Sequence, residues 1–326
     1  MISRRDVLVA GALLPTFARA GDRPTLRVGV LPFGTVSWEA ETIRRHRLDE
    51  AAGYSLETLR LATNDAARIA FLAGQVDSIV SDLLLAARLR SEGRAVKFLP
   101  FSATEGAVMV RPDTSIHSMG DLVGKRIGVA GGALDKNWVL LKAHVQDKLG
   151  VDLASAAAPS YGAPPLLSSK LESGELDAAL LYWNFCARLE AKGYRRLIGA
   201  GDIARSFGLA GDIALIGYMF DEALAERAPR LMEGFATSSR EAKRKLAESE
   251  EAWAAVRPLM EAEDEPTYQA LRRAFLEGIP SRPIEAERSD AERLYTVLLK
   301  VGGEKLVGSG LTLPEGLYWG EGREPA

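Results

Sequence analysis

The sequence predicts an α/β protein made of two doubly wound lobes. At 326 residues the chain exceeds the size of one ordinary core. From Thr25 onward, short β-rich runs alternate with longer helical patterns, the arrangement of sheets flanked by helices. The same theme recurs in both halves, where Gly74-x-x-Asp77 and Gly174-x-x-Asp177 each precede a short apolar run.

Read in order, LRVGVLP (26–32) is the first strand and Trp38 to Leu48 the first helix. LETLRLA (56–62) and Asp65 to Ala73 repeat the pair. Ser78 to Val80 is a third strand, Leu83 to Glu92 a helix, and VKFLPFS (96–102) a fourth strand. AVMVRPD then leaves the first unit, and MGDLVGKRIGVAGG reads as helix, turn and strand, with Gly124 supplying the turn. LLSSKLESGELDAALLYW gives a helix, a turn at Gly174 and a buried strand at 178–181; YRRLIGAG is one more short strand. IALIGYMF is a strand returning to the first unit. From Asp221 to Lys300 the pattern is helical, with breaks expected at Pro258, Pro266 and Pro280, and these charge-dense helices are expected to cover the first lobe. The expected division is 1–20 as an export signal, 21–105 with 215–326 as a discontinuous first lobe, and 106–214 as the second.

The first twenty residues, MISRRDVLVAGALLPTFARA, place Arg4 and Arg5 before an apolar stretch and end in Ala18-Arg19-Ala20. That order is a secretory signal cleaved after Ala20, and Ser3 to Leu8 resembles a twin-arginine export signal. The apolar stretch is too short to span a bilayer, so the mature chain is expected in the periplasm and not embedded in a membrane.

Composition excludes several classes. The net charge is −3, from 41 basic and 44 acidic residues, without the basic field that nucleic-acid binding displays. Cys186 is alone and cannot form an internal disulfide. His46, His117 and His144 are scattered, without metal-ligand spacing. Neither a Ser/His/Asp order nor a phosphate-binding Gly-x-x-x-x-Gly-Lys motif is present, so no catalytic residue, metal or cofactor is expected.

Three passages carry a resemblance: IAFLAGQVDSIVSDLLLAARL (69–89), IHSMGDLVGKRIGVAGGALDKNWVLLKA (116–143) and KLESGELDAALLYWNFCARLEAKGYRRL (170–197). Together they resemble the solute-binding proteins of ABC importers of the nitrate, sulfonate, taurine and thiamine-precursor type. The resemblance implies a type II periplasmic-binding fold, with two lobes joined by two crossover strands and a small-molecule ligand held between them. It also implies a monomer that delivers its ligand to a permease with its ATPase. The alternatives are an enzyme on the same fold related to pyrimidine-precursor synthesis and a periplasmic sensor that contacts another protein.

Ligands of doubly wound sheets sit at the carboxyl ends of strands, which selects the candidate residues by position. After the first strand come Phe33, Thr35 and Trp38; after the third, Ser81 and Asp82; after the fourth, Thr104 and Glu105. In the second lobe the loop from Gly131 and Gly132 to Asp135, Asn137 and Trp138 allows close backbone approach. Tyr182, Trp183 and Asn184 end a buried strand and offer rings to stack and an amide to hydrogen-bond. Ser81, Asp82 and Asp135 are equally readable as helix caps, and the rings as packing. Tyr161 and Asp212 lie near other loop openings. Asp82, Glu105, Asp135 and Asp212, with only Lys136 nearby, suggest a ligand that is not a simple anion.

Overall fold

The computed structural model describes residues 23–321, so the export-signal reading of residues 1–20 lies outside the described residues. The described strands are β1 (Thr25–Val30), β2 (Ser55–Arg60), β3 (Ser78–Asp82), β4 (Val96–Ser102), β5 (Ala107–Val110), β6 (Arg126–Ala130), β7 (Ala158–Gly162), β8 (Ala178–Leu181), β9 (Arg195–Gly199) and β10 (Ile216–Asp221). They form two five-stranded sheets, ordered β2-β1-β3-β10-β4 and β7-β6-β8-β5-β9. In the first, β1 pairs parallel with β2 and β3, while β10 runs antiparallel between β3 and β4. In the second, β6 pairs parallel with β7 and β8, while β5 runs antiparallel between β8 and β9. The two lobes share one plan. In each, the antiparallel strand is the one entered by a crossing from the other lobe, as expected for AVMVRPD and IALIGYMF.

The recurring Gly-x-x-Asp turn has a structural role at the opposite end of the sheets from the crevice. Arg27 on β1 donates to Asp77 Oδ1 at 2.8 Å and Asp77 Oδ2 at 3.0 Å, and to Gly74 O at 3.2 Å. Arg126 on β6 repeats the pattern on Asp177, at 2.8 and 3.0 Å, and on Gly174 O at 3.0 Å. Gly74 and Gly174 have φ of +70° and +79°, which a residue with a Cβ adopts only at a cost. Each bidentate fork ties the start of one strand to the turn feeding its neighbour.

Differences from expectation have local causes. β7 has no counterpart in the hydrophobic pattern because it is an exposed edge strand, and its sequence APSYG carries no apolar alternation. The expected helix at 38–48 is Val36–Arg45 followed by a short turn of helix Leu48–Ala51, with Arg47 between them in the left-handed region at φ 52°. Pro258 does not break its helix. It falls in the last turn of Glu250–Met260, which stops at Glu261 with φ 49°. Pro266 opens the helix Glu265–Glu277, where its missing N–H costs nothing.

The carboxy-terminal helices do more than cover the first lobe. Helix Pro229–Glu248 packs on Val36–Arg45, but helix Ile284–Gly302 also reaches the second-lobe helix Lys136–Leu149. It holds the second crossing as well, since Glu287 accepts from Ala214 N at 2.8 Å and Asp290 from Ala210 N at 3.1 Å. The tail packs back: Tyr318 and Trp319 are buried, and Phe98 on β4 exchanges backbone hydrogen bonds of 2.8 Å with Leu317 O and Trp319 N.

Candidate ligand-binding cleft

The carboxyl ends of the two sheets meet, and the chain between them is largely occupied by its own side chains. Asn184, at the start of helix Trp183–Ala191, donates to Phe33 O at 3.1 Å, and the Phe33 and Phe185 rings meet edge to face. Asn64 donates to the Tyr182 hydroxyl at 3.1 Å. Arg188, one turn beyond Asn184, donates to Glu261 O at 2.9 Å and to Met260 O, capping the end of helix Glu250–Met260 in the first lobe. Trp38 is buried against Trp183, Trp253 and Phe275, with ring centroids 6.1, 6.3 and 5.7 Å away. This is a closed arrangement of the lobes.

Each sequence-selected residue now has a place. Asp82 and Asp135 cap helices: Asp82 Oδ1 accepts from Leu85 N at 3.0 Å, and Asp135 Oδ1 accepts from Asn137 N at 2.9 Å and Trp138 N at 3.3 Å. Thr104 donates to Ala274 O at 2.9 Å, joining the first crossing to the helix Glu265–Glu277. Thr35 is the buried N-cap of helix Val36–Arg45 and makes no side-chain cap bond. Ser81 lies within β3, opposite Gly217. Trp138 is fully buried and touches no open surface, while Trp38 and Trp183 belong to the aromatic cluster. A Cβ at Gly132 would meet open space, whereas Gly131, at φ +88°, brings its backbone beside Asp135 Oδ2 and the Tyr182 hydroxyl.

The acidic residues are less isolated than their spacing suggested. Asp212 is paired with Arg205, and Glu105 lies 3.0 Å from Lys136 Nζ, with both side chains over nine-tenths buried. The correction has a simple physical cause: Lys136 follows its own cap Asp135 and turns inward, so one ammonium serves several carboxylates. Burial pushes Asp135 up to about 6 against the pull of Lys136, and burial raises Glu105 as well. Burial opposes the charge of Lys136, but Glu105 and Asp135 outweigh it and raise its pKa. Burial and the neighbouring Asp135 raise Tyr182.

A groove of about 270 Å³ opens beside the Phe33–Phe185 contact, lined by Phe33, Trp38, Ser168, Phe185, Arg188 and Glu261 among others. Sequence reasoning passed over Asn64, Ser168 and Arg188. Asn64 had a readable signal, since it lies in the short loop after the second strand, where the next helix begins. Arg188 stands four residues after Asn184, on the same helix face, but its partners lie more than seventy residues away. Cys186 is buried and its thiol is pushed up to about 12 by burial, so it is not a poised nucleophile. Among the described residues no three His, Cys, Asp or Glu side chains are grouped to hold a metal, and no helix is long and apolar enough to cross a membrane.

Two sheets of one strand order, crossed twice and closing at their strand ends, give the two-lobed fold seen in periplasmic binding proteins. The alkanesulfonate-binding protein SsuA of Xanthomonas axonopodis pv. citri, bound to MOPS, superposes with a TM-score of 0.67 at 16% identity, covering 91% of this chain and 99% of that one. The aliphatic sulphonate-binding SsuA of Escherichia coli gives 0.69 at 15% identity, covering 91% and 98%. The desulfurization enzyme DSZB shares the fold at 0.57 and 17% identity, covering 87% and 96%. No curated protein matches the chain. The chain belongs to the NMT1/THI5-like family, whose profile matches residues 72–249, more than half its length.

Proposed function

We propose that this protein is the periplasmic solute-binding component of an ABC importer, which captures a small organic ligand between two lobes and delivers it to a membrane permease with its ATPase. The observation that carries the reading is the pair of like-ordered sheets whose strand ends meet across two crossings, in a member of this family. The lobe bounds that suit it are 21–105 with 215–326 for the first and 106–214 for the second. Polar groups from both lobes lie at the junction, so a ligand touching both has higher affinity for the closed state and shifts the population toward it. No covalent step is needed, and a monomer suffices. The enzyme reading is supported by the likeness to DSZB, but the Cys186 thiol, raised by burial, is not poised as a nucleophile.

Mass spectrometry of small molecules released from the purified protein identifies the solute. X-ray scattering with and without that solute then tests the clamp, with compaction expected. A bound solute that leaves the scattering unchanged, or that emerges chemically altered, overturns the reading.

A further inference from the structure

One cation in the groove between the lobes is left without a counter-charge. Arg188, half-buried on helix Trp183–Ala191, donates from Nη1 to Glu261 O at 2.9 Å and from Nη2 to Met260 O, which spends only part of its planar fork of donors. Among the described residues no carboxylate forms an ion pair with it, and burial lowers its pKa against the pull of Glu261 and Glu263. The other charges on the groove do not supply one. Lys192 meets Glu172 at 3.1 Å and Glu263 at 3.9 Å, and the Glu261 side chain is exposed, where water screens it. The same groove has an apolar wall: Phe33 from the first lobe and Phe185 from the second stand edge to face, with ring centroids 6.3 Å apart.

These parts call for one kind of occupant. A half-buried guanidinium without a carboxylate is costly, and a ligand carboxylate that reaches its uncommitted N–H groups removes that cost through charge-assisted hydrogen bonds. The planar fork matches a planar carboxylate, whereas a sulfonate brings a third charged oxygen for which the aromatic wall holds no donor. The two rings suit a flat apolar body. A volume of about 270 Å³ is at the small end of ligand pockets and suits one ring on a short tether. The acidic residues that argued against an anion do not line this groove: Glu105 is met by Lys136, Asp212 by Arg205, and Asp82 and Asp135 by the helix starts they cap. We propose that the groove takes an aryl-alkyl carboxylate, its ring against Phe33 and Phe185 and its carboxylate on Arg188, which rests on the solute-binding reading above and names the class of its ligand.

The test uses the mature chain with phenylacetate, phenylacetamide, phenylmethanesulfonate and hexanoate, each at millimolar concentration, read by calorimetry and X-ray scattering. Phenylacetate is expected to bind most tightly and to compact the protein, and its neutral amide to bind about tenfold to a hundredfold more weakly, the range for a hydrogen bond to a charged group. That preference for acid over amide is expected to vanish in Arg188→Ala and to narrow in Arg188→Lys, which keeps the charge without the fork. A residue that only latches the lobes would weaken both probes alike, so a ratio unchanged in both variants overturns the carboxylate contact. Phe33→Leu is expected to level phenylacetate with hexanoate. Tighter binding of the sulfonate overturns the carboxylate class, and hexanoate binding wild type as well as phenylacetate does overturns the aromatic wall. Phenylacetate that fails to bind overturns both, while the solute-binding reading stands so long as a solute released from the purified protein compacts it. If no such solute does, that reading falls as well.

Discussion

Replacing Arg188 by alanine isolates what holds the lobes shut. Its guanidinium, on the second-lobe helix Trp183–Ala191, donates to two carbonyls at the end of the first-lobe helix Glu250–Met260. A hydrogen bond from a charged donor contributes about 1.5–3 kcal/mol when buried. One of the two bonds here is exposed and shares its guanidinium with the other, so the pair is worth about 2 kcal/mol to closure, after discounting for solvent. At 1.4 kcal/mol per factor of ten, Arg188→Ala lowers the closed-to-open ratio about thirtyfold. In the open state both carbonyls are free to meet water, so opening leaves no buried orphan to offset the loss. Scattering at a fixed, sub-saturating concentration of the solute reads the change as a larger radius of gyration. Titration with the released solute reads it as weaker apparent affinity, because only the closed fraction holds ligand on both sides. Scattering curves that superpose, together with unchanged affinity, refute the claim that this contact sets closure.

Three further outcomes follow from the same geometry. A Cβ at Gly106 would lie 1.9 Å from Leu181 O, a backbone atom, so Gly106→Ala is expected to destabilise by about 1–3 kcal/mol or more; Gly132→Ala, with nothing within 4 Å, serves as the control, and equal melting temperatures for the two contradict the packing argument. Lys243 is buried against Glu39 and Ser239, with Tyr218 also donating to Glu39, so Lys243→Met strands a carboxylate at a cost of about 3–5 kcal/mol; Lys243→Met with Glu39→Leu should recover much of this, and a double variant as unstable as the summed singles counts against it. The Arg126 fork holds Asp177 down at about 2, below its ordinary 3.8, so its stabilisation is present above about pH 4 and is lost as pH falls toward 2. In urea titrations Asp177→Asn should therefore lose less stability than wild type over that interval, by under about 1 kcal/mol given the exposure of Arg126, and parallel pH profiles would show that the fork contributes nothing.

The order of elements was legible because it rests on short-range chemistry. Alternating apolar runs, the positive-φ glycines at 74 and 174, and the polar starts of helices at Asp82 and Asp135 all act within a few residues. β7 escaped for the same reason in reverse: an exposed edge strand needs no apolar alternation and wrote none into APSYG. The positional rule found the strand ends, and so named Phe33, Glu105, Asn137, Tyr182 and Asn184. It did not foresee what those side chains would do there.

By itself the sequence determined two lobes of one plan, the two crossings, the family, and which loops reach the junction. Tertiary structure decided how those loops are used. Trp38 and Trp183 are drawn into one aromatic cluster, Trp138 is sealed in the core, and Asp82 and Asp135 spend an oxygen each on helix caps. Lys136 turns inward to Glu105, and Arg188 reaches Met260 and Glu261 across the lobes. The physical reason is range. Helix, turn and strand preferences are settled between near neighbours, whereas a contact such as Asn184 to Phe33, 151 residues apart, exists only when two independently formed lobes close on each other.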